Sequence, residues 1–291
     1  MTPPPPPPPA TSSGGASPAR RVRPLAVVAA CLRRDATEAF SYRLPFLWRF
    51  VELFTGLFML YFLGRLVGSR IATTTGTAVT GGYFGYAVLG TALVTVLHGS
   101  LTAFSNRLRT DQTTGTLEAM LATPTPAWLT VVAGSAYSLA QIVVMELVTL
   151  LVAVGIFGLR FDASPVGVVV LLAGLVATLA CFMSLGLLLA AFTMVFKRGQ
   201  GLAGLAVSGF TLLGGVYYPV SLLPPSLRDI GAALPFTWAL DLVRGTLIFG
   251  GVPAARLVEL AVTDVVLLPV GIWFFGRAVD HTRRTGTLAQ Y

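Results

Sequence analysis

Long apolar runs separated by short polar connections organise this chain. A helix needs about 20 mostly apolar residues to cross a hydrocarbon core ~30 Å thick. Six stretches meet or approach that requirement: 46–69, 82–104, 130–158, 166–195, 201–218 and 254–276. The second and fourth lie within charge-free stretches of 36 residues (Ile71 to Asn106) and 34 residues (Ala163 to Phe196). The fifth is short and glycine-rich, and the sixth carries Arg256, Glu259 and Asp264. Residues 230–250 are apolar too, but Pro235, Asp241 and Arg244 divide them. That interruption predicts short re-entrant helices at the outer face rather than a seventh span. The pattern predicts an all-α polytopic membrane protein with six transmembrane helices.

The segment before the first span has a different period. Leu25, Val28, Ala29, Leu32, Ala36, Ala39 and Phe40 recur at steps of three and four, with Arg33, Arg34, Asp35, Thr37, Glu38 and Ser41 on the other side. This is an amphipathic helix with a basic polar face, suited to the membrane interface. Residues 1–24 hold seven consecutive prolines (Pro3 to Pro9), then Ser, Gly and Ala, then Arg20, Arg21 and Arg23. They read as a disordered cytoplasmic tail, with a proline-rich ligand for a partner domain as the alternative. A secretory signal does not fit, because the first long apolar run begins only near Pro45. The expected organisation is a tail over 1–24, a six-helix membrane domain over 25–280 and a cytoplasmic tail over 281–291.

Composition agrees with burial in lipid. Apolar residues make up 55% of the chain and charged residues 11%, with a mean hydropathy of +0.78. A soluble domain carries about 25% charged residues to cover its surface. The net charge of +8 does not mark a nucleic-acid protein, because the basic residues sit between apolar stretches rather than on one dense patch. Instead they set an orientation. With six spans, the N-terminal side collects fourteen basic residues and the opposite side six (Arg65, Arg70, Arg160, Arg228, Arg244 and Arg256). The positive-inside rule then places both termini in the cytoplasm, with lipids of the cell membrane around the spans.

Catalytic chemistry is not indicated. The chain has no GxxxxGK[ST] phosphate loop, and its only lysine, Lys197, follows an apolar helix end with no glycine. Cys31, Cys181, His98 and His281 are isolated from metal-ligand spacings, so no metal or cofactor is expected in this chain.

The most structured polar feature is the connection from Asn106 to Trp128, NRLRTDQTTGTLEAMLATPTPAW. Leu117, Met120 and Leu121 fall on one face, and Pro124 and Pro126 end the segment. A short helix with one apolar edge can dock on a soluble partner, or rest on the headgroups. The stretch resembles the signature of type-2 ABC exporter permeases, in which a basic loop leads into a GTLE segment followed by an apolar residue and a proline. Here those positions are Gly115, Thr116, Leu117, Glu118, Leu121 and Pro124. A second block, GGVYYPVSLLPPSLRDIGAALPFTWALDLVRG from Gly214 to Gly245, resembles the family's external segment. The resemblance covers about residues 25–280. It implies a permease half that pairs with a second copy or a sister subunit. Each half would carry a cytoplasmic ABC ATPase that binds ATP and Mg, and Gly115 to Pro124 would form the coupling helix. The cargo implied is hydrophobic or amphipathic: a drug, a lipid or a lipid-linked glycan.

Several intramembrane residues carry alternatives. Glu146 and Asp264 fall near the middle of their spans, where an unpaired carboxylate costs roughly 2.5–3.5 kcal/mol on insertion scales. They are either bonded to neighbours such as Gln141 or held protonated at a helix contact, or they form a proton or substrate site; a proton relay through them would make the chain an ion-coupled secondary transporter, the rival reading. Arg49 and Glu52, three apart, are expected to pair. Phe54, Phe58, Tyr61 and Phe62 form one stripe on the first span, either facing lipid or lining a substrate path. Gly64 with Gly68, and Gly81 with Gly85, have the spacing that permits close helix contact, between subunits or within one.

Overall fold

A computed structural model describes residues 28–29, 31–33, 44–67, 82–115, 126–196 and 199–285. Five long helices are apolar enough to span a membrane. They are α1 (Leu44–Val67), α2 (Gly82–Thr113), α3 (Ala127–Gly155), α4 (Pro165–Phe196) and α8 (Ala254–Thr285). Between α4 and α8 lie α5 (Gly199–Leu213), a 3-10 turn (Val220–Leu222), α6 (Pro225–Ala232) and α7 (Pro235–Leu247). No strand occurs among the described residues, as the all-α reading requires. Of the interfacial helix expected over 25–44, positions 28–29 and 31–33 are helical, and most of the rest lies outside the described residues.

The fifth apolar run is the exception among the expected spans. α5 has 15 residues, about 22 Å at 1.5 Å per residue, which falls short of the ~30 Å core. α2, α4 and α8 have 32 residues each, about 48 Å, and outreach the same core by a wide margin. α2 runs past the expected end near residue 104 because Arg107–Thr113 is polar yet free of glycine and proline. Arg107 Nε also bonds Asp111 Oδ2 at 3.0 Å, one turn on. α8 likewise continues through 281–285, into the expected tail.

α2 is the central rod. Of its most apolar window 56% is buried, against 6% for α1, so α1 lies on the outside. α4 packs along α8 most extensively and also along α2; α3 packs on α2, and α7 is wedged against α4 and α8. Phe182, Phe236, Leu240 and Leu242 are fully buried where these elements meet. A second cluster (Phe104, Phe275, Ala190 and Val279) closes the other half of the bundle. Val258, Val262, Val265 and Val266 on α8, and Trp48, Met59 and Leu66 on α1, remain exposed. Such outward apolar faces suit a lipid solvent.

The segment expected to hold short helices is built on two prolines. Pro225 and Pro235 occupy the first turns of α6 and α7, where the missing N–H costs nothing and φ is already helical. Of the close-contact glycines, Gly64 meets Phe84 within the subunit, where an added Cβ would come to 3.1 Å of the Phe84 backbone nitrogen. Gly68 and Gly81 lie outside the described residues.

Candidate functional site

A groove runs between α1, α2 and α3, and its polar wall belongs to α2. Thr91, Thr95, His98, Thr102 and Asn106 follow one another at steps of three and four, which puts them on one helix face. The threonine hydroxyls donate to carbonyls one turn back: Thr91 to Ala87 at 3.0 Å, Thr95 to Thr91 at 3.1 Å and Thr102 to His98 at 2.8 Å. The helix therefore satisfies its own donors, and polar oxygen faces the groove at low cost.

Two cavities divide this groove. One, of about 660 Å³, lies toward the Arg107 end and is lined by His98, Thr102, Asn106, Arg107, Tyr137, Ser138 and Gln141. The other, of about 520 Å³, lies toward the Gly82 end, between Leu53, Leu57, Leu60 and Leu63 of α1 and Met145, Glu146 and Thr149 of α3, with Tyr217 beside them. Arg49, Thr95 and Ile142 line both, so the cavities meet at that level. Arg49 and Glu52 do not form the expected ion pair; both line the groove instead. Such a channel, with a leucine wall on α1 beyond Arg49 and Glu52 and hydroxyls on the α2 side, can hold a molecule with one apolar and one polar part.

Glu146 and Asp264 occupy different places. Glu146 sits in the cavity beside Thr95, not beside Gln141, which lines the other cavity. Its Oε2 is buried and has no hydrogen-bond partner. Asp264 lies near Cys181 on α4, 9% exposed and outside both cavities, with Oδ1 unpartnered. The charges that made the last span questionable are partly accounted for, because Arg256 bridges Asp241 at 3.0 Å and Glu259 at 2.7 Å. This pairs α7 with the start of α8.

The aromatic stripe of α1 does not line these cavities. Phe58 and Tyr61 pack on Phe157, and Tyr61 also meets Phe84 edge-on with centroids 5.7 Å apart. Phe54 and Phe62 are exposed. The groove uses the adjacent face of the same helix.

At the Gly82 end, α2 is tied to the α5–α6 turn by one buried cation. Arg244 of α7 donates from Nη1 to Gly215 O at 2.9 Å, and from Nη2 to Tyr86 O at 3.0 Å and Val216 O at 2.7 Å. The Tyr86 hydroxyl donates to Gly215 O at 3.1 Å. Gly215 adopts φ +72°, which turns its carbonyl toward both donors. A Cβ on Gly90 would come to 2.6 Å of Val216 O and 2.7 Å of Arg244 Nη2, so only glycine admits the turn this close to α2. α7 has 13 residues and does not span. Burial lowers the Arg244 pKa to about 10, against the favourable field of Tyr86 and Asp241; the group remains a cation at neutral pH. Sequence reasoning placed Arg244 only as a basic residue of the outer side and as one that divides the apolar stretch 230–250. It also missed the α2 polar face, although that spacing is visible in the sequence.

At the opposite end, Gly115 closes α2 with φ +69°, and its N–H bonds Gln112 O at 3.1 Å. Thr116, Leu117, Glu118, Leu121 and Pro124 of the expected coupling helix lie outside the described residues. Arg107 lies against Gly134 of α3 just before this exit, where a Cβ on Gly134 would come to 2.9 Å of its Nε.

Five long apolar helices packed around a lined groove define a polytopic membrane protein. The family model for the ABC-2 type transporter matches residues 27–248, which include both motif blocks. This chain belongs to the ABC-2 type transporter family, whose members are transport permease subunits associated with ABC ATPases. No curated protein matches the sequence.

Proposed function

We propose that the chain is one half of an ATP-driven exporter that moves a hydrophobic or amphipathic substrate, such as a drug, a lipid or a lipid-linked glycan. The observation that carries this reading is the two-sided groove between α1, α2 and α3. Its leucine wall and hydroxyl wall suit a cargo with both kinds of surface.

Two copies, or this chain and a sister subunit, would face each other in the cell membrane, each with a cytoplasmic ATPase binding ATP and Mg. The segment from Gly115 to Pro124 would seat in the ATPase. Support comes from α2, which leads directly into that segment at one end and meets the Arg244 turn through Tyr86 at the other. A tilt imposed at Gly115 would reach the turn through one rigid rod. Six crossings with cytoplasmic termini are consistent with the ends of α2 and α8. Arg107 and Arg277 lie toward one end of these helices, and Arg256 with its partner Asp241 toward the other. α5 and the turn after it would complete the fifth crossing.

Transport into sealed inverted vesicles tests this. With the chain and its ATPase reconstituted, uptake is expected with ATP and not with a proton gradient alone. Gradient-driven uptake, together with failure to form a stable ATPase complex, would overturn it in favour of an ion-coupled transporter using Glu146 and Asp264.

A further inference from the structure

We propose that the cavity containing Glu146 is a binding subsite for the cationic group of an amphipathic molecule, with Glu146 as its counter-charge. The inference deepens the exporter reading by naming a charge class for the cargo, and it depends on that reading only for movement, not for binding.

The cavity measures about 520 Å³, inside the ~300–1,000 Å³ range of small-molecule sites. Leu53, Leu57, Leu60 and Leu63 supply one apolar wall, against which rings or alkyl arms can lie. Glu146 supplies a carboxylate whose Oε2 is buried and makes no hydrogen bond. Thr95, the polar side chain beside it, is within hydrogen-bonding reach of the carboxylate, but its hydroxyl also donates to Thr91 O and brings no charge. A carboxylate held in the membrane with no cation bonded to it needs either a proton or a cationic ligand. The other charged groups lining this cavity are Glu52 and Arg49, so two carboxylates face one guanidinium and the formal balance is −1. Arg49 sits at the boundary with the second cavity, which Arg107, paired with Asp111, also lines. A delocalised cation with apolar arms fits the first chamber, since it neutralises Glu146 without demanding directional hydrogen bonds. An anion does not. Asp264 is no equivalent seat, for it lines neither cavity.

Tetraphenylphosphonium and its anionic isostere tetraphenylborate provide matched probes. Saturable binding of radiolabelled tetraphenylphosphonium to the full chain in lipid nanodiscs, without ATP, is expected, with tetraphenylborate failing to displace it. Glu146→Gln should weaken binding by roughly tenfold or more, and Arg49→Gln should tighten it severalfold, because it removes the opposing charge. Asp264→Asn should leave it unchanged. Melting temperature and monodispersity report whether each variant is folded; if Glu146→Gln fails that check, the opposite shifts of Arg49→Gln and Glu52→Gln decide. Equal affinity in wild type and Glu146→Gln, or tetraphenylborate binding that Arg49→Gln abolishes, would overturn the proposal. Absence of saturable binding alongside ATP-driven transport of a neutral amphiphile would sink the cationic subsite and keep the exporter. Glu146-dependent binding without ATP-driven transport would do the reverse.

Discussion

The guanidinium carbon of Arg244 lies 3.4 Å from the centroid of the Tyr86 ring, so a cation on a short helix rests on the face of the central spanning helix. Such stacking is electrostatically favourable, more so away from water. The same guanidinium holds three carbonyls, on Tyr86, Gly215 and Val216. One side chain thereby joins α2, α7 and the turn that follows α5.

Arg244→Leu is expected to destabilise the protein by about 3 kcal/mol or more, since three inward carbonyls lose a charged donor. Tyr86→Phe keeps the ring under the guanidinium and loses one hydroxyl bond, at a cost of about 1 kcal/mol. Thermal unfolding in detergent should rank wild type, Tyr86→Phe and Arg244→Leu in that order. Equal midpoints for the two variants would refute the keystone role of the arginine.

Close approach at Gly90 makes a second expectation. Gly90→Ala brings a methyl to 2.6 Å of Val216 O and should cost about 1–3 kcal/mol through overpacking. Gly209→Ala on α5 meets nothing within 4 Å and should be neutral or stabilising by up to about 1 kcal/mol through helix propensity. The pair is compared by unfolding midpoint under the same conditions.

Groove and stripe can be separated on α1, α2 and α3. Thr95→Leu fills the point where the two cavities meet and is expected to reduce ATP-driven transport strongly. Phe62→Ala, on an exposed ring, should leave transport near wild type. If Phe62→Ala abolished transport while Thr95→Leu did not, the cargo would follow the aromatic stripe.

For the segment proposed to seat in the ATPase, Glu118→Arg and Leu121→Asp are expected to keep the chain inserted and ATP hydrolysis measurable while substrate movement is lost. Hydrolysis and vesicle transport measured side by side report the ratio. Normal transport by both variants would remove this segment from the coupling role.

Much of the fold was legible because a span declares itself through composition over 20 or more residues, with no knowledge of neighbours. Pro235 similarly divided the apolar stretch before the last span, and α7 begins there. The extension of α2 to Thr113 was less legible, because a polar stretch looks like a loop until the Arg107–Asp111 bond is seen to continue the helix. The Arg49–Glu52 pair was expected from spacing alone, and spacing says nothing of the groove that both residues face.

By itself, then, the sequence determined the all-helical membrane class, the approximate spans and the family, since each rests on residue type and order along the chain. Only the tertiary structure decided what faces what. It put Glu146 in a cavity and Asp264 outside both cavities, turned the Phe58–Tyr61 stripe toward Phe157, and made Arg244 the fastening of three elements. In an all-round apolar helix no hydrophobic face points inward by default. The rotation of each rod is set by the small residues and buried polar contacts of its neighbours, and those come from distant parts of the chain.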